Sequence, residues 1–143
     1  MTERRPKIFL SNWASAKTPG HHGPGRLLSI MVKTPWFAKS AGNVLVLVPP
    51  TDALWDLRGG RIDIEQYQRR YQNKLDHWAD RLAPGKLLAD REGGLFKVAY
   101  GDTLCCSCAR SAAAEGKCHR VWAARRLAEV GWDVVLDGEP FSE

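Results

Sequence analysis

The stretch from Thr103 to Leu136 limits the possible folds more than any other part of the chain. Thr103-Leu104-Cys105-Cys106 reads as a strand, His119 to Val130 as a helix, and Asp133-Val134-Val135-Leu136 as a second strand. Val121, Ala124, Leu127 or Ala128, and Val130 form the apolar face of that helix. Gly131 stands at its end, where the backbone turns left-handed and a side chain is unwelcome. Strand, helix and strand in this order make a βαβ unit, and the parallel strands of such a unit need cover on both faces. The expected fold is therefore α/β: a single compact domain with a largely parallel sheet and helices packed on it.

The remaining segments fit that frame. Lys7 to Ser11 reads as a first strand, Thr18 to Gly25 as a loop rich in proline and glycine, and Leu27 to Val32 as another strand. Val44 to Val48 is a continuous apolar run stopped by Pro49-Pro50, the pattern of a strand buried on both faces. Asp63 and Gln66 form a capping box for a long helix, along which Ile64, Tyr67, Tyr71, Leu75, Trp78 and Leu82 recur every three or four residues. Helical spacing assigns this aromatic stripe to the core rather than to base stacking. Ala83-Pro84-Gly85 ends the helix, and Phe96 to Tyr100 precedes a turn at Gly101-Asp102. With 143 residues, 44% apolar and 26% charged, the composition suits one domain, read as 7–137 between a disordered tail at 1–6 and an acidic tail at 138–143. The acids Asp137, Glu139 and Glu143 fold back on basic residues or remain solvated.

All four cysteines lie between Cys105 and Cys118. The polar start Met1 to Pro6 has no apolar leader, and the apolar run at 44–48 is too short to span a bilayer, so the expected location is cytoplasmic, without membrane contact. In a reducing compartment, clustered cysteines point to metal binding or thiol chemistry more than to structural disulfides. Cys105 and Cys106, adjacent on a strand, face opposite ways and make poor partners for each other. The net charge is +5, and between Cys105 and Arg126 the bases Arg110, Lys117, Arg120, Arg125 and Arg126 face one acid, Glu115. That local field suits an anion such as a nucleotide phosphate or nucleic-acid backbone, or else forms a wet basic helix face.

Ligands of open α/β sheets bind at the carboxyl ends of strands, where helix N-termini favour anions and thiolates. The candidate catalytic residues are Cys118 as thiolate, His119 as proton handler and Arg120 as phosphate clamp. Ser11 and Asn12 at the end of the first strand, together with Arg26 and Arg110, are the candidate substrate-binding residues. Cys106, Cys108 and Cys118 make a candidate zinc set, completed by a remote histidine such as His21 or His22. Adjacent Cys118 and His119 are poorly spaced to chelate together. Each residue also has a plainer role: a buried cysteine as apolar filler, Arg120 in a surface ion pair, His21 and His22 in an ordinary solvent loop.

Ile8-Phe9-Leu10-Ser11-Asn12-Trp13, Arg26-Leu27-Leu28-Ser29-Ile30 followed by Pro35-Trp36, and above all Leu104-Cys105-Cys106 leading to Cys118-His119-Arg120 and Gly131-Trp132-Asp133-Val134, together resemble the YeaO-like family, domain of unknown function 488. The resemblance runs from about Lys7 to Leu136, and Tyr67, Tyr71 and Leu75 fit it. It implies a compact α/β domain of bacterial and phage proteins, and it implies no particular reaction. It also implies a glutamate shortly after the strand cysteine, where this chain has Cys108 or Ala109. Two functional classes follow from the sequence. One is an anion-binding Cys/His/Arg site that binds or acts on a nucleotide or nucleic-acid component; the other is a zinc-stabilised interaction module engaging a partner such as a host protein. A purely interaction-based protein with packing cysteines is a third.

Overall fold

Four short apolar strands lie side by side and parallel. In the computed structural model, which describes residues 5–32, 41–91, 93–107 and 117–141, they are β1 (Lys7–Asn12), β2 (Leu27–Ser29), β5 (Thr103–Cys106) and β6 (Asp133–Leu136). The sheet order is β2-β5-β1-β6-β7, and the two-residue β7 (Glu139–Pro140) closes it antiparallel to β6. Among the described residues, three helices, α1 (Thr51–Arg58), α2 (Ile64–His77) and α3 (His119–Glu129), accompany it, with a separate hairpin of β3 (Leu88–Arg91) and β4 (Gly94–Lys97). This is a single α/β domain with a largely parallel sheet, as the βαβ pattern requires. In space, β1 separates the two strands of that unit, pairing Phe9 with Thr103 on one side and Val135 on the other.

Alternation along the strands divides the side chains between two faces. Ile8, Leu10, Leu28, Leu104, Cys106 and Val134 join the main core with Trp122, Ala123, Ala124 and Leu127 of α3 and Tyr67, Tyr71 and Leu75 of α2. Phe9, Ser11, Thr103 and Cys105 point the other way, under the 13–25 loop. That loop is pinned by the Gly23 N–H donating to Thr103 Oγ1 at 3.0 Å and the Gly25 N–H donating to Gly101 O at 3.0 Å. A Cβ at Gly23 would lie 2.5 Å from the Phe9 ring, so this glycine is what lets the loop close over the strand.

The helix ends follow their sequence signals. Asp63 accepts from the Gln66 N–H at 2.8 Å while the Gln66 side chain accepts from the Asp63 N–H at 2.9 Å, completing the capping box. At the end of α3, Gly131 takes φ +114°, the Trp132 N–H donates to Leu127 O at 3.0 Å and the Gly131 N–H to Ala128 O at 3.4 Å, a Schellman closure.

Several elements differ from the sequence expectation. Val44 to Val48 is a 3-10 turn over Leu45–Leu47 instead of a strand, with Leu45 half exposed. Pro49-Pro50 cannot donate to a ladder. The carbonyls such a strand would pair are taken by side chains from α2: Tyr71 Oη donates to Leu47 O at 2.7 Å, and Lys74 Nζ to Leu45 O at 2.7 Å and Val48 O at 2.6 Å. The long helix stops at His77, so Trp78 lies just beyond it and Leu82, though buried, is presented by the following turn. Phe96 and Lys97, read only as leading to the Gly101-Asp102 turn, close strand β4, and β2 ends at Ser29 rather than Val32. The buried side of α3 carries His119, Arg120 and Trp122 besides the small apolar residues. No described helix is long and apolar enough to cross a membrane.

Candidate functional site

β5 ends at Cys106, and α3 begins at Cys118, its N-cap, so the sheet delivers one thiol and the helix start another to the same place. Their sulfurs lie 3.4 Å apart, both fully buried. Arg120, in the first turn of α3, folds back over them: Nη1 donates to Cys106 Sγ at 3.0 Å and to Cys118 Sγ at 3.4 Å. The rest of the guanidinium faces Asp137, with Nε 3.1 Å from Oδ1 and Nη2 3.1 Å from Oδ2. A fully buried guanidinium thus spans a carboxylate and two sulfurs. Burial works against its charge, but Cys106, Asp137 and Cys118 outweigh that cost and hold the proton more firmly than in an ordinary arginine.

Asp137 is the member that the sequence reading undervalued, since its fold-back was one of two alternatives for the acidic tail. It opens an Asp-Gly turn between β6 and β7, with φ +50° followed by +84° at Gly138, the left-handed pair of a type I′ hairpin. The Asp137 N–H donates to Leu10 O at 2.9 Å, fixing the carboxylate at the end of β1. The Asp-Gly dipeptide was the available signal for this turn.

His119 is buried beside the pair. Its Nε2 lies 2.8 Å from Ile30 O, and since a carbonyl can only accept, this nitrogen carries the proton. The Tyr71 ring meets the imidazole edge-on at 5.6 Å, so the aromatic stripe of α2 serves as core and also holds this ring in place. Burial pushes the His119 pKa below the usual histidine range, opposed by Cys106 and the Ile30 carbonyl, so the ring is neutral with Nδ1 as an acceptor. The ring lines a cavity of about 160 Å³ at the carboxyl ends of the strands, with Met31, Leu54, Trp55, Arg58 and Ser107 among its other walls.

Cys105 does not join the pair. It faces the other side of β5, as strand alternation requires, and burial pushes its thiol up to about 12, with Cys106 adding and Arg120 opposing. The candidates at the end of β1 also turn inward: Asn12 Oδ1 accepts from the Ser15 N–H at 2.8 Å, and Ser11 Oγ is buried with no hydrogen-bond partner among the described residues. Arg26 lies at the opposite end of the sheet, before β2, where Nη2 meets Asp102 Oδ2 at 2.8 Å and the guanidinium stacks on Phe96. His21 has its Nδ1 buried without a partner among the described residues, and His22 is exposed, with Nδ1 3.3 Å from Thr18 O. Cys108 and Arg110 lie outside the described residues. Among the described ones, no group of three or more His, Cys, Asp or Glu side chains could hold a metal ion.

The local positive field is partly neutralised: Arg120 faces Asp137, and Arg126 faces Asp76 at 2.6 Å and Glu129 at 3.5 Å. The structure therefore contains a buried Arg/Cys/His cluster tied by ion pairs and hydrogen bonds, with its arginine directed at sulfur and carboxylate. Compared with known protein families, with curated proteins and with solved structures, the chain matches none.

Proposed function

We propose that this protein performs thiol–disulfide chemistry at Cys118 and Cys106. The observation that carries the proposal is the 3.4 Å sulfur separation under a shared guanidinium. A disulfide needs about 2.05 Å between sulfurs, so a closure of little more than an ångström joins the two. Cys118, at a helix N-terminus beside Arg120 and His119, is the attacking thiolate, because the helix end and the guanidinium both stabilise sulfur charge there. His119 Nδ1 is the acceptor beside the cavity for the proton that a thiol gives up. Arg120 acts on the sulfurs and is a positioning residue, with Asp137 holding it in place.

The substrate class is a small anionic disulfide, drawn by the excess of positive charge; the cavity nearest the thiols is lined by His119, the neighbour of Cys118. Cys118 attacks one substrate sulfur, forming a mixed disulfide and releasing one thiolate. Cys106 then attacks Cys118 Sγ and releases the second. The protein loses two electrons as the Cys106–Cys118 bond forms, and the substrate gains them as its own S–S bond breaks. We assign this chemistry to a reducing cytoplasm and retain the likeness to the YeaO-like family as part of the proposal. A second reading, a nucleotide or nucleic-acid component as ligand, is favoured by Arg58 standing 5.4 Å from the centre of the Trp55 ring at the same cavity. It predicts that titration with a nucleoside monophosphate gives a saturating heat that Trp55→Ala removes.

Mixing the reduced protein with glutathione disulfide tests the leading reading. Two thiols should be released per chain, and Cys106→Ser should stop after one, with glutathione held on Cys118. Release no faster than from Cys118→Ser would overturn it.

A further inference from the structure

Away from the thiols, Leu45, Trp78 and Leu95 come from three separate elements and stand 50%, 38% and 65% exposed. They are three of the five large apolar residues exposed among the described residues, and all three line one groove of about 410 Å³. One wall is the hairpin. Leu88 and Asp90 on β3 and Leu95 on β4 share its outer face, since Asp90 pairs with Leu95 across the ladder. The opposite wall is Leu45 and Val46 of the 3-10 turn with Trp78 after α2. Nothing in the sheet or the thiol site needs these side chains exposed, and burying them would stabilise by about 25 cal/mol per Å².

The rim selects the occupant. Lys74, Arg81 and Lys86 border the groove, against the single acid Asp90. Arg81 is 5.7 Å from the centre of the Trp78 ring, so a cation lies directly beside the apolar floor. Lys74 donates to two carbonyls of the 3-10 turn, which fixes its ammonium at the edge. A second copy of this chain, itself +5, would bring like charge to this rim.

From these observations we propose that the groove is a docking site for an acidic amphipathic helix of a partner protein. Two or three large apolar side chains on one face of that helix fill the space between Leu95 and Trp78, while flanking carboxylates meet Lys74, Arg81 and Lys86. This is the helix-in-groove mode, with the apolar anchors giving affinity and the basic rim giving orientation and selectivity.

The probe is a fluorescein-labelled 16-residue helical peptide of leucine, alanine and glutamate, with its leucines on one face, compared with the same peptide carrying lysine for glutamate. Anisotropy titrations of the full chain should show the glutamate peptide binding at least tenfold more tightly, with the preference shrinking in high salt. Leu95→Asp, an exposed substitution whose fold is checked by circular dichroism, should weaken binding at least tenfold. Arg81→Glu combined with Lys86→Glu should reverse the peptide preference. Equal binding of both peptides, or affinity unchanged by Leu95→Asp, would overturn the proposal. So would sedimentation showing that this face is already covered in a homodimer that Leu95→Asp dissociates.

Discussion

The two ends of the sheet each hold an arginine against an aspartate, and what else each pair touches separates scaffold from site. At the amino ends, Asp102 is buried and fully engaged: it accepts from the Arg26 and Ala99 N–H groups at 2.8 and 2.9 Å and from Arg26 Nη2 at 2.8 Å. Arg26 also donates to the carbonyl of Lys97, and its side chain is 40% exposed. Every contact ties one backbone segment to another, so the pair is a fastening. At the carboxyl ends, Arg120 is fully buried and directs Nη1 at two thiols. Sulfur is a weak acceptor and a strong nucleophile. A charge directed there alters reactivity as well as stability.

The contrast can be broken in three ways. The largest effect should come from Asp137→Asn, which leaves the Arg120 charge buried without its carboxylate and should cost about 3–5 kcal/mol in urea unfolding. The same variant should change the Cys106–Cys118 redox potential. Asp102→Asn should cost less, about 2 kcal/mol, because Arg26 regains water when its partner is lost. It should leave that potential where it was. If both variants shift the potential equally, the two ends are not different in kind.

The smallest effect concerns pH. The His119 pKa is depressed in the folded chain, so the unfolded chain binds its proton first, near the ordinary value of about 6.5. Stability from this residue is present above that pH and falls as pH drops below it, by at most about 1.4 kcal/mol per unit, until the folded ring titrates too. His119→Gln, which keeps a donor for Ile30 O, should remove this part of the slope in unfolding measured between pH 7 and pH 5. An unchanged slope would show that the ring is not held neutral.

Much of the site was legible because it rests on strong periodic signals. The β5–α3–β6 pattern located the strand-end thiol and the helix-start thiol, and strand alternation separated Cys105 from Cys106. The role of Arg120 was not legible. A sequence shows that a basic residue follows a helix start, and it does not show that Asp137 returns through a hairpin turn to occupy it. The Asp-Gly turn was readable, but β7 is only two residues long and offers no strand pattern. Val44 to Val48 misled because continuous hydrophobicity does not report that Tyr71 and Lys74, far along the chain, take its carbonyls. Helix α1 and the β3–β4 hairpin were missed because the elements are short, eight residues and four, and only half of each is apolar, so tertiary contacts rather than periodicity define them.

In the proposed chemistry Cys106 and Cys118 form a reversible pair. The most direct measurement is mass spectrometry of the tryptic digest after mild oxidation of the native chain with diamide. Cleavage separates Val98–Arg110 from Cys118–Arg120. The two peptides should appear joined, fragmentation should assign the bond to Cys106, and dithiothreitol should release them. Cys118 left unpaired after complete oxidation, or bonded to any other cysteine, would contradict the account.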